Sequence, residues 1–258
     1  MNPWLKCLRS RPGAALRLFC FPYAGGGTMI YRTWPEGLSS NLEILCAQLP
    51  GREARLGESP YSRLSDTVEA MADAILPYLD RPFVFFGHSM GALMAFELAL
   101  RLRRSCGLEP AHIFISGRRA PQLSDPERLG YDLPDSEFID WVARLKGLPK
   151  EVLQNAEIMQ FVLPLLRADF AACDTYSYVP EFPLTCSITA LGGLADQQIG
   201  REDLAAWREQ TNGPFTLRML NGDHFFVNSC RADLLRVIER ELQPIFDRAQ
   251  GSSERRQR

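Results

Sequence analysis

A serine held between two glycines, Gly87-His88-Ser89-Met90-Gly91, is the pattern by which a chain presents a hydroxyl on a strained strand-to-helix turn. The glycines answer a steric need, because such a turn crowds any neighbouring side chain. The pattern alone arises by chance in about one chain in ten of this length, so its setting decides. An apolar run, 83–86, precedes it, and a run of strong helix formers, 92–102, follows. Ser89 is therefore the candidate nucleophile. The backbone N–H of Met90, at the start of the helix, is a candidate donor to an oxyanion.

A serine hydroxyl attacks poorly until a positioned base takes its proton, so the chemistry needs a histidine, and in this chain order the histidine comes late. His224 lies in Asn221-Gly222-Asp223-His224-Phe225-Phe226, a glycine-containing loop after the last apolar run. His112 falls at the start of an expected strand and reads as structural; His88 adjoins Ser89 and reads as packing or hydrogen-bonding beside the turn. The orienting acid should follow a strand between Ser89 and His224. Asp196, in Leu194-Ala195-Asp196-Gln197-Gln198 after Gly192-Gly193, fits, with Asp203 and Asp174 as weaker candidates. The loop Phe21-Pro22-Tyr23-Ala24-Gly25-Gly26-Gly27 is placed to give a second oxyanion donor, for which Ala24 is the choice. It has neither the Lys-Ser/Thr pair nor the G-x-G-x-x-G spacing of a nucleotide loop.

These side chains need a scaffold that brings distant loops to one edge. Apolar runs at 16–21, 44–49, 83–86, 113–116, 186–191 and 215–220 alternate with helical periodicity, which predicts a mainly parallel, doubly wound sheet. Val68, Met71, Ala72, Ile75, Leu76 and Leu79 recur at helical spacing, with Asp66 and Glu69 as an expected capping pair and a kink near Pro77. A closing helix is expected over 233–246. Between 120 and 183 the strand signal stops, and Phe138, Val142 and Leu145, or Phe161, Leu165 and Leu166, suggest short helices instead. So long a strandless stretch exceeds one crossover, and it predicts a helical lid insertion. Together these features predict the α/β-hydrolase fold: one domain over 1–248, with a polar, disordered tail at 249–258.

Composition narrows the class. With 29 Lys+Arg against 31 Asp+Glu, the chain lacks the basic excess of a nucleic-acid binder. No stretch is long and apolar enough for a bilayer, and the N-terminus lacks a secretory h-region, so a cytoplasmic protein away from membranes is expected. Seven cysteines without a C-x-x-C pair read as reduced core thiols, and three scattered histidines argue against a metal site.

Several elements, taken together, resemble the discrete type II thioesterases that accompany nonribosomal peptide and polyketide synthases. They are Phe21-Pro22-Tyr23-Ala24-Gly25-Gly26, Gln48-Leu49-Pro50-Gly51-Arg52-Glu53, Gly87-His88-Ser89-Met90-Gly91, Ser116-Gly117-Arg118-Arg119-Ala120-Pro121, Leu165-Leu166-Arg167-Ala168-Asp169-Phe170 and Gly222-Asp223-His224-Phe225-Phe226. They span nearly the whole chain in that family's order. The resemblance implies hydrolysis of acyl thioesters on the phosphopantetheine arm of an acyl or peptidyl carrier protein, removing wrong or stalled acyl units. It implies no cofactor of the enzyme's own, since the phosphopantetheine belongs to the substrate, and a monomer. Three other readings stay open on residues alone: a small-molecule carboxylesterase, a synthase-terminating thioesterase, which a chain starting at Met1 disfavours, and a non-enzymatic binding module of hydrolase shape.

Overall fold

Alternating faces of buried strands build the molecule from its centre outward. In the computed structural model, which describes residues 2–123, 130–145 and 147–256, Phe83 and Phe85 of one strand pack on one side of the sheet while Val84 and Phe86 pack on the other. A strand apolar on both faces must be covered on both. Helices on each face provide that cover.

The strands are β1 (Leu5–Arg9), β2 (Leu16–Phe21), β3 (Leu42–Ala47), β4 (Phe83–His88), β5 (His112–Ser116), β6 (Ser187–Gly193) and β7 (Phe215–Leu220). The helices are α1 (Trp34–Gly37), α2 (Leu64–Ile75), α3 (Met90–Cys106), α4 (Asp135–Arg144), α5 (Lys150–Leu153), α6 (Ala156–Asp174), α7 (Arg201–Ala205), α8 (Phe226–Ser229) and α9 (Arg231–Arg256). The described residues form one sheet in the order β1-β3-β2-β4-β5-β6-β7. All neighbours are parallel except β1, which runs antiparallel to β3. This is the α/β-hydrolase architecture expected from the sequence.

The strand order reverses direction at β2, which pairs with β3 on one side and β4 on the other. Such a reversal opens a crevice at the carboxyl ends of the strands, because the following loops diverge to opposite faces. Register then brings the later loops level with it: Phe21 pairs with Gly87, His88 with Ser116, Ser116 with Leu191, and Gly193 with Leu220. The loops carrying Ala24, Ser89, Asp196 and His224 therefore leave the sheet at one edge.

Several boundaries differ from the sequence reading. β1 was not expected; its burial alternates poorly, and only Leu5 is buried. β3 starts two residues earlier than its apolar run suggested, and α3 begins at Met90, directly after the turn at Ser89. The N-cap of α2 is Arg63, without a side-chain cap, and Glu69 bonds Arg101 instead of capping with Asp66. The kink at Pro77 takes the form of a 3₁₀ turn over Leu76–Tyr78. All seven cysteines are free, but Cys7 and Cys106 are exposed rather than in the core. Helical backbone continues to Arg256, into the stretch whose polarity suggested a disordered tail; 257 and 258 lie outside the described residues.

Between β5 and β6, α4, α5 and α6 are the elements among the described residues. Residues 124–129 and 146 of the expected insertion fall outside them. This stretch has a small cluster of its own, with Phe138, Val142 and Leu166 buried and Trp141 and Phe170 packed against them. Arg167 lies 4.4 Å over the Phe138 ring and bonds Asp135 at 2.6 Å.

Candidate active site

Ser89 occupies the turn between β4 and α3 with φ 54° and ψ −113°, a conformation that L residues rarely adopt. The flanking glycines are what make the turn possible. A Cβ at Gly87 would sit 2.0 Å from the Gly91 carbonyl oxygen, and one at Gly91 would sit 2.1 Å from that of Phe21. Either clash would push the helix off the sheet edge. The Ser89 amide donates to the Ser116 carbonyl at 2.8 Å, anchoring the turn to β5. As the first residue of α3, Met90 has an N–H with no intrahelical acceptor.

His224 and Asp196 meet across the same edge. His224 Nδ1 lies 2.8 Å from Asp196 Oδ2, with the carboxylate side chain inaccessible to solvent and the imidazole nearly so. Asp196 is held in turn: its Oδ1 accepts from the amides of Gln198 and Ile199 at 2.9 and 3.2 Å. The Asp196 loop is pinned to the His224 loop, since the Ala195 amide donates to the Gly222 carbonyl at 2.8 Å. Gly117 sits beneath the imidazole, where an added Cβ would come 3.4 Å from His224 Cε1. The Ser116–Gly117 corner thus holds Ser89 through its carbonyl and supports His224 through its bare Cα. Among the described residues no hydrogen bond joins Ser89 Oγ to His224, a contact that commonly tightens only around bound substrate.

The weaker acid candidates have other places. Asp203 Oδ2 accepts from the Gly200 amide at 2.8 Å at the start of α7, and Asp174 closes α6. His112 is structural, as expected, with Nε2 2.8 Å from Thr189 Oγ1 and its ring stacked on Phe114. Burial lowers its pKa to about 4.

Residues 16–242 match the thioesterase domain family. The chain belongs to that family. Similar proteins span nearly its full length. Linear gramicidin dehydrogenase LgrE of Brevibacillus parabrevis is 46% identical over 243 residues, covering 93% of this chain and 92% of that protein. Its dehydrogenase name describes that protein; this thioesterase has no G-x-G-x-x-G run. The structure of RedJ, a thioesterase from the prodiginine biosynthetic pathway in Streptomyces coelicolor, superposes with a TM-score of 0.84 at 41% identity, over 90% of this chain and 88% of RedJ. BorB, a type II thioesterase from the borrelidin biosynthetic cluster, gives 0.84 at 32% identity, over 93% and 98%.

Two further features flank the candidate site. His88, read from the sequence as packing or hydrogen-bonding beside the turn, is fully buried next to Ser89 with Nδ1 2.8 Å from Ser116 Oγ and its ring centroid 5.2 Å from that of His224. Burial, and then the neighbouring His224, hold its pKa well below the ordinary histidine value. His88 therefore stays neutral and adds no competing charge beside His224. The second, which sequence reasoning left without a role, is an ion pair between Arg52 and Asp169, at 2.7 Å, that reaches the Gly25–Gly26 loop. The P-G-R-E and R-A-D-F elements were the available signal, although spacing alone gave them no role.

A cavity of about 610 Å³ lies between α2, α3 and α6, lined among others by Leu64, Val68, Glu97, Ala171 and Tyr176. It does not include Ser89. A smaller neighbouring cavity shares Leu64 with it and reaches Met90, Met94 and Asp169. Among the described residues no group of three or more His, Cys, Asp or Glu could hold a metal, and no helix is long and apolar enough to cross a membrane.

Proposed function

We propose that this thioesterase hydrolyses acyl or aminoacyl thioesters from the phosphopantetheine arm of acyl or peptidyl carrier proteins, clearing aberrant or stalled groups from a nonribosomal peptide or polyketide synthase. The observation that carries the reading is the 2.8 Å contact of His224 Nδ1 with a buried Asp196, on the sheet edge that holds the positive-φ Ser89. With Nδ1 committed to the carboxylate, Nε2 is the ring nitrogen left to serve Ser89.

In this mechanism His224 takes the Ser89 proton as Oγ attacks the thioester carbonyl carbon. The oxyanion is met by the amides of Met90 and Ala24. Loop bonding supports the second choice: the Gly25 amide is committed to Asp169 and that of Gly26 to the Tyr23 carbonyl, whereas the Ala24 N–H has no partner among the described residues. Collapse breaks the C–S bond, and the pantetheine sulfur leaves as the thiol with the proton from His224. Water, deprotonated by His224, then attacks the acyl-Ser89 ester and releases a free acid. Every proton in this cycle passes through His224, so no cofactor is needed. The paired cavities near Met90 would take the acyl group, with α4 to α6 as the lid over it. A cytoplasmic monomer fits this role.

Intact-mass spectrometry of an acyl-loaded carrier protein tests the reading. The wild type should remove the acyl mass and leave the phosphopantetheine, and Ser89→Ala should leave the carrier loaded. A carrier that stays loaded with several acyl groups, while simple oxygen esters are cleaved, would turn the assignment to a carboxylesterase.

A further inference from the structure

The oxyanion loop has a mechanical problem that its sequence creates. Three consecutive glycines, with Gly25 at φ +76°, give the backbone many conformations of similar energy. An oxyanion donor works only when it is already aimed, because reorganisation at the moment of reaction erases its advantage. Something outside the loop must fix it.

Asp169 and Arg52 do so from two distant parts of the chain. Asp169 lies on α6 and Arg52 on the connection between β3 and α2, and both are buried. Their pairing is bidentate: Arg52 Nη1 donates to Asp169 Oδ2 at 2.8 Å and Nη2 to Oδ1 at 2.7 Å. The same groups then grip consecutive residues of the loop. Asp169 Oδ2 accepts the Gly25 N–H at 2.7 Å, and Arg52 Nη1 donates to the Gly26 carbonyl at 2.9 Å. Arg52 is itself oriented by Nε, which donates to the Pro50 carbonyl at 3.3 Å. Leu166, one turn before Asp169, covers Gly25 so closely that an added Cβ would lie 2.6 Å from its Cδ2.

A buried ion pair is weak evidence for stability, since desolvation offsets its attraction. Here each partner also makes a hydrogen bond to the loop. We propose that Arg52 and Asp169 are positioning residues that fix the Gly25 peptide, so that the preceding Ala24 N–H is aimed at the developing oxyanion only while α6 is seated. This rests on Ala24 as the oxyanion donor. It makes the seating of α6, rather than the loop itself, the condition for a complete oxyanion hole.

The test compares Asp169→Ala, Asp169→Asn and the double variant Arg52→Met/Asp169→Leu, which removes both charges and leaves neither buried alone. Substrates are N-acetylcysteamine thioesters, and the probe for transition-state binding is a trifluoromethyl ketone that forms a tetrahedral adduct with Ser89. The double variant should keep a cooperative melting transition yet lose kcat by ~10²-fold, with KM within about twofold of wild type, as expected for one misplaced oxyanion donor. Ketone affinity should fall by the same factor as kcat/KM. Asp169→Asn, which keeps an acceptor for Gly25, should retain more kcat than Asp169→Ala. Recovery of kcat together with stability in the double variant, or ketone affinity at the wild-type level, overturns the proposal. Failure of the wild type to bind the ketone at Ser89 would instead overturn the serine-hydrolase reading.

Discussion

Along the carboxyl edge of the sheet, atoms are placed by backbone register and by glycines that admit no substitute. In the helical stretch over α4 to α6, they are placed by a few side chains. The edge inherits its order from parallel pairings that leave Phe21, Gly87, Ile115 and Ala190 level. The helical stretch gathers Phe138, Val142 and Leu166 into a small cluster of its own, and Asp169 and Leu166 carry it to the Gly25 loop. The proposed catalytic groups thus stand on the sheet edge, and the proposed substrate cover on a stretch with a smaller packing cluster of its own.

The comparison breaks most visibly where one atom on the rigid edge is changed. Asp196→Asn keeps an oxygen for the Gln198 and Ile199 amides, but it turns an N–H donor toward His224 Nδ1. That favours the tautomer whose proton sits on Nε2, where Ser89 needs an acceptor. We expect kcat to fall by ~10⁴-fold with little change in thermal stability. A loss of less than about tenfold would mean that another acid orients His224.

The same division explains what the sequence disclosed. Ser89, His224 and Asp196 could be singled out as candidates because the chemistry dictates their order; the structure brings His224 and Asp196 together, and the runs before the three, 83–86, 186–191 and 215–220, lie in strands. Strand β1 was not, because an antiparallel edge strand with one buried residue leaves no periodic signature. The Arg52–Asp169 pair was invisible as a pair: its members stand 117 positions apart, and only the fold makes them neighbours. Cys7 and Cys106 were misplaced because cysteine usually behaves as a small buried hydrophobe, and composition cannot say where it lies.

A second experiment weighs the two packings directly. Phe85 sits fully buried between the Phe19, Phe21 and Phe83 rings in the main core, whereas Phe138 is equally buried in the small cluster. Phe85→Ala should cost ~3–5 kcal/mol of global stability. Phe138→Ala should cost less than about half of that globally, and appear instead as faster amide exchange through α4 and α6. Equal shifts of the global transition would show that the two packings unfold as one unit.

The smallest effect concerns acid, and it belongs to the sheet. The chain has three histidines, none of them in α4 to α6, and His112 ties β5 to β6 through Thr189. Its pKa is lowered by burial from 6.5 to about 4. Between those values the unfolded chain binds a proton at His112 that the folded chain refuses, so stability falls as pH falls through this window. The contribution is on the order of 3 kcal/mol once pH 4 is reached, and about 0.8 kcal/mol near pH 6. His88 acts in the same direction, since burial also lowers its pKa. His112→Gln keeps a donor for Thr189 without titrating, and should flatten part of the decline in melting temperature between about pH 6.5 and pH 4. An unchanged acid limb in that variant would move the proton uptake away from β5 and leave His88, beside His224, as the group whose protonation loosens the sheet.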